Sequence, residues 1–188
     1  MVSLNLTKIG SKSKEESMLE LFFNESSRHW HFEDILKKAK ISRPQAMNWL
    51  RRLAKEGIIR RIKEKNKMPY YTGDFESPAY KNRKRIYALN KFYETGFLNH
   101  LLQLKAKTII LFGSFARADW NTESDIDLFI YGDAEEFEQG KYEQKLRREI
   151  QTFTCKDKKE YSRFQPGLMK SILSGYLVKG NMDFIQNA

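Results

Sequence analysis

Hydrophobic positions recur every three to four residues through much of the first half of the chain. In "EESMLELFFNE" they fall at Met18, Leu19, Phe22 and Phe23, and in "HFEDILKKAK" at Ile35, Leu36 and Ala39, the spacing of one helix face. "ISRPQAMNWLRRLAKEGIIRRI" carries a third stripe at Ala46, Trp49, Leu50 and Leu53. Ser42 is a natural N-cap there, Pro44 sits in the first turn where its missing N–H costs nothing, and Gly57 ends the helix. Beyond Gly57 the period changes. "IIRRIKEKN" predicts a strand and "KNRKRIYALN", with Tyr87 and Leu89 on one face, its return strand. The stretch between them, "KNKMPYYTGDFESPAY", holds two prolines and a glycine and predicts a loop. "NKFYETGFLNHLLQLKAK", Asn90 to Lys107, predicts a connecting helix with Phe92, Phe97, Leu98, Leu101 and Leu102 as its apolar residues.

The second half alternates strand and helix patterns. "KTIILFG" predicts a buried strand, "SFARADW" a helix start, and "SDIDLFIYG" a second strand. "AEEFEQGKYEQKLRRE" predicts a helix, "EIQTFTC" a third strand, and "QPGLMKSILSGYLVKG" a helix and turn. No run approaches the roughly 18 apolar residues of a membrane helix, so no membrane association is expected. The N-terminus lacks the apolar core of a secretory leader.

Composition adds the charge asymmetry. Of 188 residues, 40% are hydrophobic, enough for a real core, and the net charge is +10. Up to Lys107 there are 23 Lys and Arg against 11 Asp and Glu, a balance of +12; from Thr108 the balance is −2. A basic half joined to a near-neutral half points to two domains, one of which meets a polyanion. The single cysteine, Cys155, allows no internal disulfide and fits a reducing, cytoplasmic setting. His29 and His31 flank Trp30 and are expected to be packing residues rather than metal ligands.

The expected fold class is α+β. The first half, over roughly Ser13 to Asn90, resembles a winged helix-turn-helix: three helices plus a β-hairpin. The expected boundaries are residues 1–90 for this domain, 91–107 for the connecting helix and 108–188 for an α/β domain. Lys40 to Lys67 holds ten Lys and Arg against two Glu, and DNA attracts such a surface through counterion release. In a winged helix the second helix of the turn motif enters the major groove. That makes Arg43, Gln45, Asn48, Arg51 and Arg52 the expected DNA-reading residues, with Gln45 and Asn48 suited to adenine. Arg60, Lys63, Lys81, Arg83 and Lys84 would be wing contacts to phosphate.

The chemistry of the second half lies in "LFGSFARADWNTESDIDLFI". Alternation along a strand puts Asp125 and Asp127 on one face and Ile126 and Leu128 on the other. Paired hard carboxylates suit Mg²⁺, which takes a few carboxylates plus substrate phosphates and water. Gly113 permits a tight turn and close approach of a ligand, Ser114 opens the next helix, and Arg117 supplies a cation nearby.

"GSFARA" followed by "SDIDL" resembles the nucleotidyltransferases of the DNA polymerase β superfamily, most closely the minimal nucleotidyltransferase (MNT) group, over about Lys107 to Gly180. The resemblance implies a small polymerase-β-like α/β domain. It implies phosphate binding at Gly113, Ser114 and Arg117, and Mg²⁺ or Mn²⁺ at Asp125 and Asp127 with an NTP, ATP being the expected one. The activity would be transfer of a nucleoside monophosphate to a protein or RNA hydroxyl. Two positions depart from the family pattern. Ala118 replaces the usual glycine after Arg117, and Gln151 stands where the family places a third carboxylate. Gln cannot accept a proton. Glu149, two residues earlier on the same strand face, is the stand-in catalytic residue, and Asp183 a weaker one. The alternative is a DNA-binding transcription regulator or antitoxin with a degenerate catalytic domain. The resemblance permits a separate helical HEPN-type partner, and winged helices usually act as homodimers.

Overall fold

The computed structural model describes residues 13–161 and 163–182. Contacts divide the chain into two compact units, Met1–Arg83 and Lys84–Ala188.

The first unit begins with α1 (Lys14–Asn24), started by a capping box: the Glu16 N–H donates to Ser13 Oγ (3.1 Å) and the Ser13 N–H to Glu16 Oε2 (2.9 Å). Its apolar stripe buries Met18, Leu19, Phe22 and Phe23. β1 (Trp30–His31), α2 (Phe32–Ala39), α3 (Arg43–Lys55), β2 (Ile59–Ile62) and β3 (Tyr70–Gly73) follow. The three strands form an antiparallel sheet in the order β1-β3-β2. α3 buries Ala46, Leu50 and Leu53 and leaves Arg43, Asn48, Arg51 and Arg52 exposed. Gly57, at φ +71°, turns the chain from α3 into β2.

The return strand is not where the period-two pattern of Tyr87 and Leu89 put it. β2 pairs with Tyr70–Gly73, inside the expected loop, and 81–90 lies within the helix α4 (Pro78–Glu94). Tyr80, Lys84, Ala88 and Phe92 are the buried positions of α4, four residues apart, and a lysine in that stripe hides its helical period. Lys81 and Arg83 are therefore exposed positions of a helix, not of a wing, and Lys84 is buried. In the first unit, Tyr80 stands edge-on to Phe23 and its hydroxyl donates to the Phe22 carbonyl (2.8 Å).

The second unit takes the rest of α4, then α5 (Phe97–Gln103), β4 (Thr108–Phe112), α6 (Gly113–Arg117), β5 (Ile126–Tyr131), α7 (Gln139–Leu146), β6 (Ile150–Cys155), α8 (Lys158–Tyr161), α9 (Pro166–Leu173) and β7 (Tyr176–Lys179). The expected single helix from Asn90 to Lys107 is broken at Gly96, which lies at φ +77°. β7 occupies the segment expected to be a turn. The sheet order is β6-β5-β4-β7, with β5 and β6 parallel and the other pairs antiparallel. Ile110, Phe112, Phe129 and Cys155 form one apolar cluster with Met169 and Ile172 of α9. By strand alternation Ile109, Leu111, Ile126, Leu128 and Ile130 face the other way, and all are buried. Phe92, Phe97, Phe115 and Tyr142 form a ring cluster within this unit at centroid separations of 5.3 to 5.4 Å. The start of β6 is held by α7: the Ile150 N–H donates to Glu143 Oε1 (3.1 Å) and the Gln139 side-chain amide donates to the Ile150 carbonyl (2.9 Å). Among the described residues no helix is long and apolar enough to cross a membrane.

Candidate active site

β4 ends at Phe112, directly opposite Asp127 of β5. The chain then turns at Gly113, φ +66°, straight into α6. A Cβ on residue 113 would lie 2.8 Å from Asp127 Cγ and collide with Asp127 Oδ2. Glycine is therefore favoured here twice: the backbone is left-handed, and any Cβ would force the Asp127 carboxylate to shift. Asp127 is half-buried and Asp125, just ahead of β5, is exposed. Burial pushes the Asp127 carboxyl above the usual carboxylate range; the negative charge of Asp125 adds to this and Arg117 opposes it.

Ser114 is half-buried in the first turn of α6. Arg117 is exposed and donates through Nε to Asp119 Oδ2 (2.9 Å). Ala118 is buried at φ +61°, so the position that carries glycine in the resembling motif does need a left-handed backbone, and alanine bears that strain here.

Gln151 lies beside Asp127 in the parallel β5–β6 register and is exposed. Glu149 is exposed just before β6, and its carbonyl accepts the Ile126 N–H (2.9 Å). Asp183 lies outside the described residues. Gly113, Asp127 and Gln151 thus meet at one end of the sheet, with Asp125 and Glu149 at the ends of the two neighbouring strands.

Three cations hold the connection from α6 to β5: Arg148 and Arg85, which the sequence reading did not single out, and Lys84, which it placed on a wing. Arg148 Nη1 donates to the carbonyls of Asn121 (2.7 Å), Thr122 (3.1 Å) and Ser124 (2.8 Å), and its guanidinium lies over the rings of Phe115 and Trp120. Lys84 Nζ donates to the Trp120 carbonyl and sits 4.4 Å from the Trp120 ring centroid. Arg85 donates through Nε (3.1 Å) and Nη2 (3.0 Å) to the Ala116 carbonyl. Desolvation lowers the Lys84 ammonium to about 8 and also depresses Arg148. Lys84 is thereby corrected from an outward phosphate contact to an internal one, since it is 1% exposed. Its place in the α4 stripe, four residues from both Tyr80 and Ala88, was the signal for this.

The donor set fits a divalent metal brought with a nucleotide. Two carboxylates lie at the start of β5 beside the Gly113 turn, and Mg²⁺ is commonly held by one or two carboxylates plus phosphates and water. Among the described residues no three His, Cys, Asp or Glu side chains form a cluster able to hold a metal on their own.

In the first unit, the residues expected on a nucleic-acid face are mostly exposed but several are engaged. Arg43 pairs with Glu33 (2.6 Å) and Arg60 with Asp74 (3.3 Å). Arg52 pairs with Glu15 and, at 3.7 Å, with Glu56. Gln45 Oε1 accepts from both the N–H (3.2 Å) and the hydroxyl (2.9 Å) of Ser42, so its side-chain carbonyl serves the helix cap rather than facing outward for adenine. Asn48, Arg51 and Lys63 are exposed.

Comparison with known proteins agrees with this geometry. Residues 96–173 match the family model described as "Nucleotidyltransferase domain". A stretch of 31 residues is 58% identical to a protein of Methanocaldococcus jannaschii named "Putative protein adenylyltransferase"; it covers 16% of this chain and 31% of that protein. The chain therefore spans about a third of the length of the curated relative it matches. No solved structure matches the chain significantly. The turn, the carboxylate pair and these two matches together support the nucleotidyltransferase superfamily for the second unit.

Proposed function

We propose that the second unit binds ATP with Mg²⁺ or Mn²⁺ and transfers its nucleoside monophosphate to a hydroxyl of a protein or an RNA end. The observation that carries this reading is Gly113, shaped at once for a phosphate-binding turn and for the Asp127 carboxylate against it. Asp125 and Asp127 would hold the metal, which when bound offsets the charge of the phosphates and orients them. Gly113 and Ser114 would present backbone N–H groups to the phosphates, and the exposed Arg117, paired with Asp119, would add a positive charge on the Asp127 side. The acceptor oxygen attacks the α-phosphorus, a new O–P bond forms, and the bond to the β-phosphate oxygen breaks to release pyrophosphate. Glu149 takes the hydroxyl proton, the role Gln151 cannot fill. The partial relative's name favours a protein acceptor. Calorimetric titration of ATP with and without Mg²⁺ tests the reading. Metal-dependent binding that disappears in Asp125→Asn/Asp127→Asn is expected; equal binding in the variant would refute it.

A second reading rests on two specific observations. Gln151 stands beside Asp127, and the first unit has the order α1-β1-α2-α3-β2-β3 with a basic exposed face on α3. That order supports a winged helix, and with it a DNA-binding regulator or antitoxin, as a homodimer or with a helical partner, whose nucleotidyltransferase unit no longer turns over. Duplex DNA binding that weakens steeply with salt and is lost in Arg43→Ala/Arg51→Ala, with no ATP-dependent labelling of any acceptor, would favour this reading over the first.

A further inference from the structure

We propose that Arg148, Lys84 and Arg85 form a cationic clamp that sets where Asp125 stands relative to Asp127, and so act as positioning residues for the metal–nucleotide site. The inference rests on the ATP-binding reading above.

The residues from Ala118 to Asp125 join α6 to β5 without regular structure. Carbonyls in such a segment have no ladder partner and need another donor. Some of the segment is self-tied: the Asn121 N–H donates to Ser124 Oγ (2.9 Å) and the Glu123 N–H to Asn121 Oδ1 (2.8 Å). These local bonds shape the turn but do not attach it to the sheet. Arg148 does, because one nitrogen gathers three carbonyls, the last of them on Ser124, the residue before Asp125. Charge-assisted bonds of this kind are about twice as strong as neutral ones.

Lys84 and Arg85 fix the other end. The Ala116 and Trp120 carbonyls bracket the left-handed residue Ala118, and α4 supplies a cation to each. Trp120 is stacked on Phe115 at 5.1 Å and buried, so the clamp closes around an aromatic wedge. Asp127 needs no such help, since it is held in β5 against Gly113. Asp125 stands one residue ahead of β5: the Ile126 N–H, bonded to the Glu149 carbonyl (2.9 Å), fixes its strand side, and the segment held by the clamp fixes the other.

The test compares Mn²⁺–ATP affinity of the full chain by calorimetry for wild type, Arg148→Met, Arg148→Lys, Lys84→Met and Arg85→Met. Lys156→Met, an exposed cation just past the opposite end of β6, controls for lost positive charge. Thermal melting of each variant reports on folding, and hydrogen exchange over 118–126 reports on the segment itself. The expected result is at least a tenfold weaker affinity in Arg148→Met, partial recovery in Arg148→Lys, and faster exchange confined to 118–126, with Lys156→Met unchanged. Should Arg148→Met fail to fold, Lys84→Met and Arg85→Met carry the test, each with at least a threefold loss. Wild type that binds while the folded clamp variants bind within twofold of it overturns the clamp and leaves the proposed function standing. Wild type that binds no nucleotide overturns both.

Discussion

Replacing Gly113 by alanine tests the central geometric claim about the site. Two costs are expected. An L-residue at φ +66° bears about 1–2 kcal/mol of left-handed strain. The new methyl would also overlap the Asp127 carboxylate, with Cγ at 2.8 Å, and overpacking of this sort costs about 1–3 kcal/mol. The sum is roughly 2–5 kcal/mol. The second cost vanishes if the carboxylate is removed. In an Asp127→Ala background the two closest atoms, Asp127 Oδ2 and Cγ, are gone, and the Cβ stays at 3.2 Å. Gly113→Ala should then cost about 1–2 kcal/mol, leaving a coupling of about 1–3 kcal/mol between the two sites. Urea unfolding of the four proteins of the cycle, followed by hydrogen exchange over β4 and β5, measures this in the second unit alone. An equal cost of Gly113→Ala in both backgrounds would refute the contact between the turn and the carboxylate.

Two further predictions follow from the titrating groups. Because the Asp127 carboxyl is raised, the folded protein holds a proton that the unfolded chain has released as pH climbs from about 3.8, so its charge costs stability at neutral pH. Asp127→Asn should melt higher than wild type at pH 7 while losing metal–nucleotide binding, and the difference in melting should shrink below pH 4; an Asn variant that melts lower at pH 7 contradicts the sign. The Lys84 ammonium is lowered to about 8 against 10.5 for an ordinary lysine. Between those values the unfolded chain holds a proton the folded protein lacks, so wild-type stability gains a rising contribution from pH 8 towards 10. In denaturant melts across that window Lys84→Met should lack this contribution, and parallel pH curves for the two proteins would place Lys84 in contact with solvent.

The local code was strong where a single element carried the information. The stripes of α1, α2 and α3 were legible because their buried residues recur at helical spacing within about a dozen positions. The candidate site is compact in sequence for the same reason: Gly113, Ser114, Asp125 and Asp127 lie within 15 residues, over a strand, a turn and a strand. Where burial contradicted residue type, pattern reading failed. Lys84 is a buried lysine whose ammonium donates to the Trp120 carbonyl; it interrupts the apolar stripe of α4 and leaves the Tyr87 and Leu89 alternation to suggest a strand. β3 and β7 escaped because four-residue strands such as "YYTG" and "YLVK" carry too few alternations to declare themselves; β7 forms on the distant β4, and β3, though it closes a hairpin with β2, also pairs with the distant β1.

By itself the order of residues determined the helix stripes of the first half, the charge asymmetry, and the turn and carboxylate pair that point to nucleotidyl transfer. Those properties are set by neighbours a few positions apart. Tertiary structure decided what depends on distant partners: that the Asp127 carboxylate packs against Gly113, that Gln151 stands beside Asp127, and that Lys84, Arg85 and Arg148 turn inward to carbonyls. A cation's role depends on whether water or a buried carbonyl surrounds it, and only the packed fold settles which.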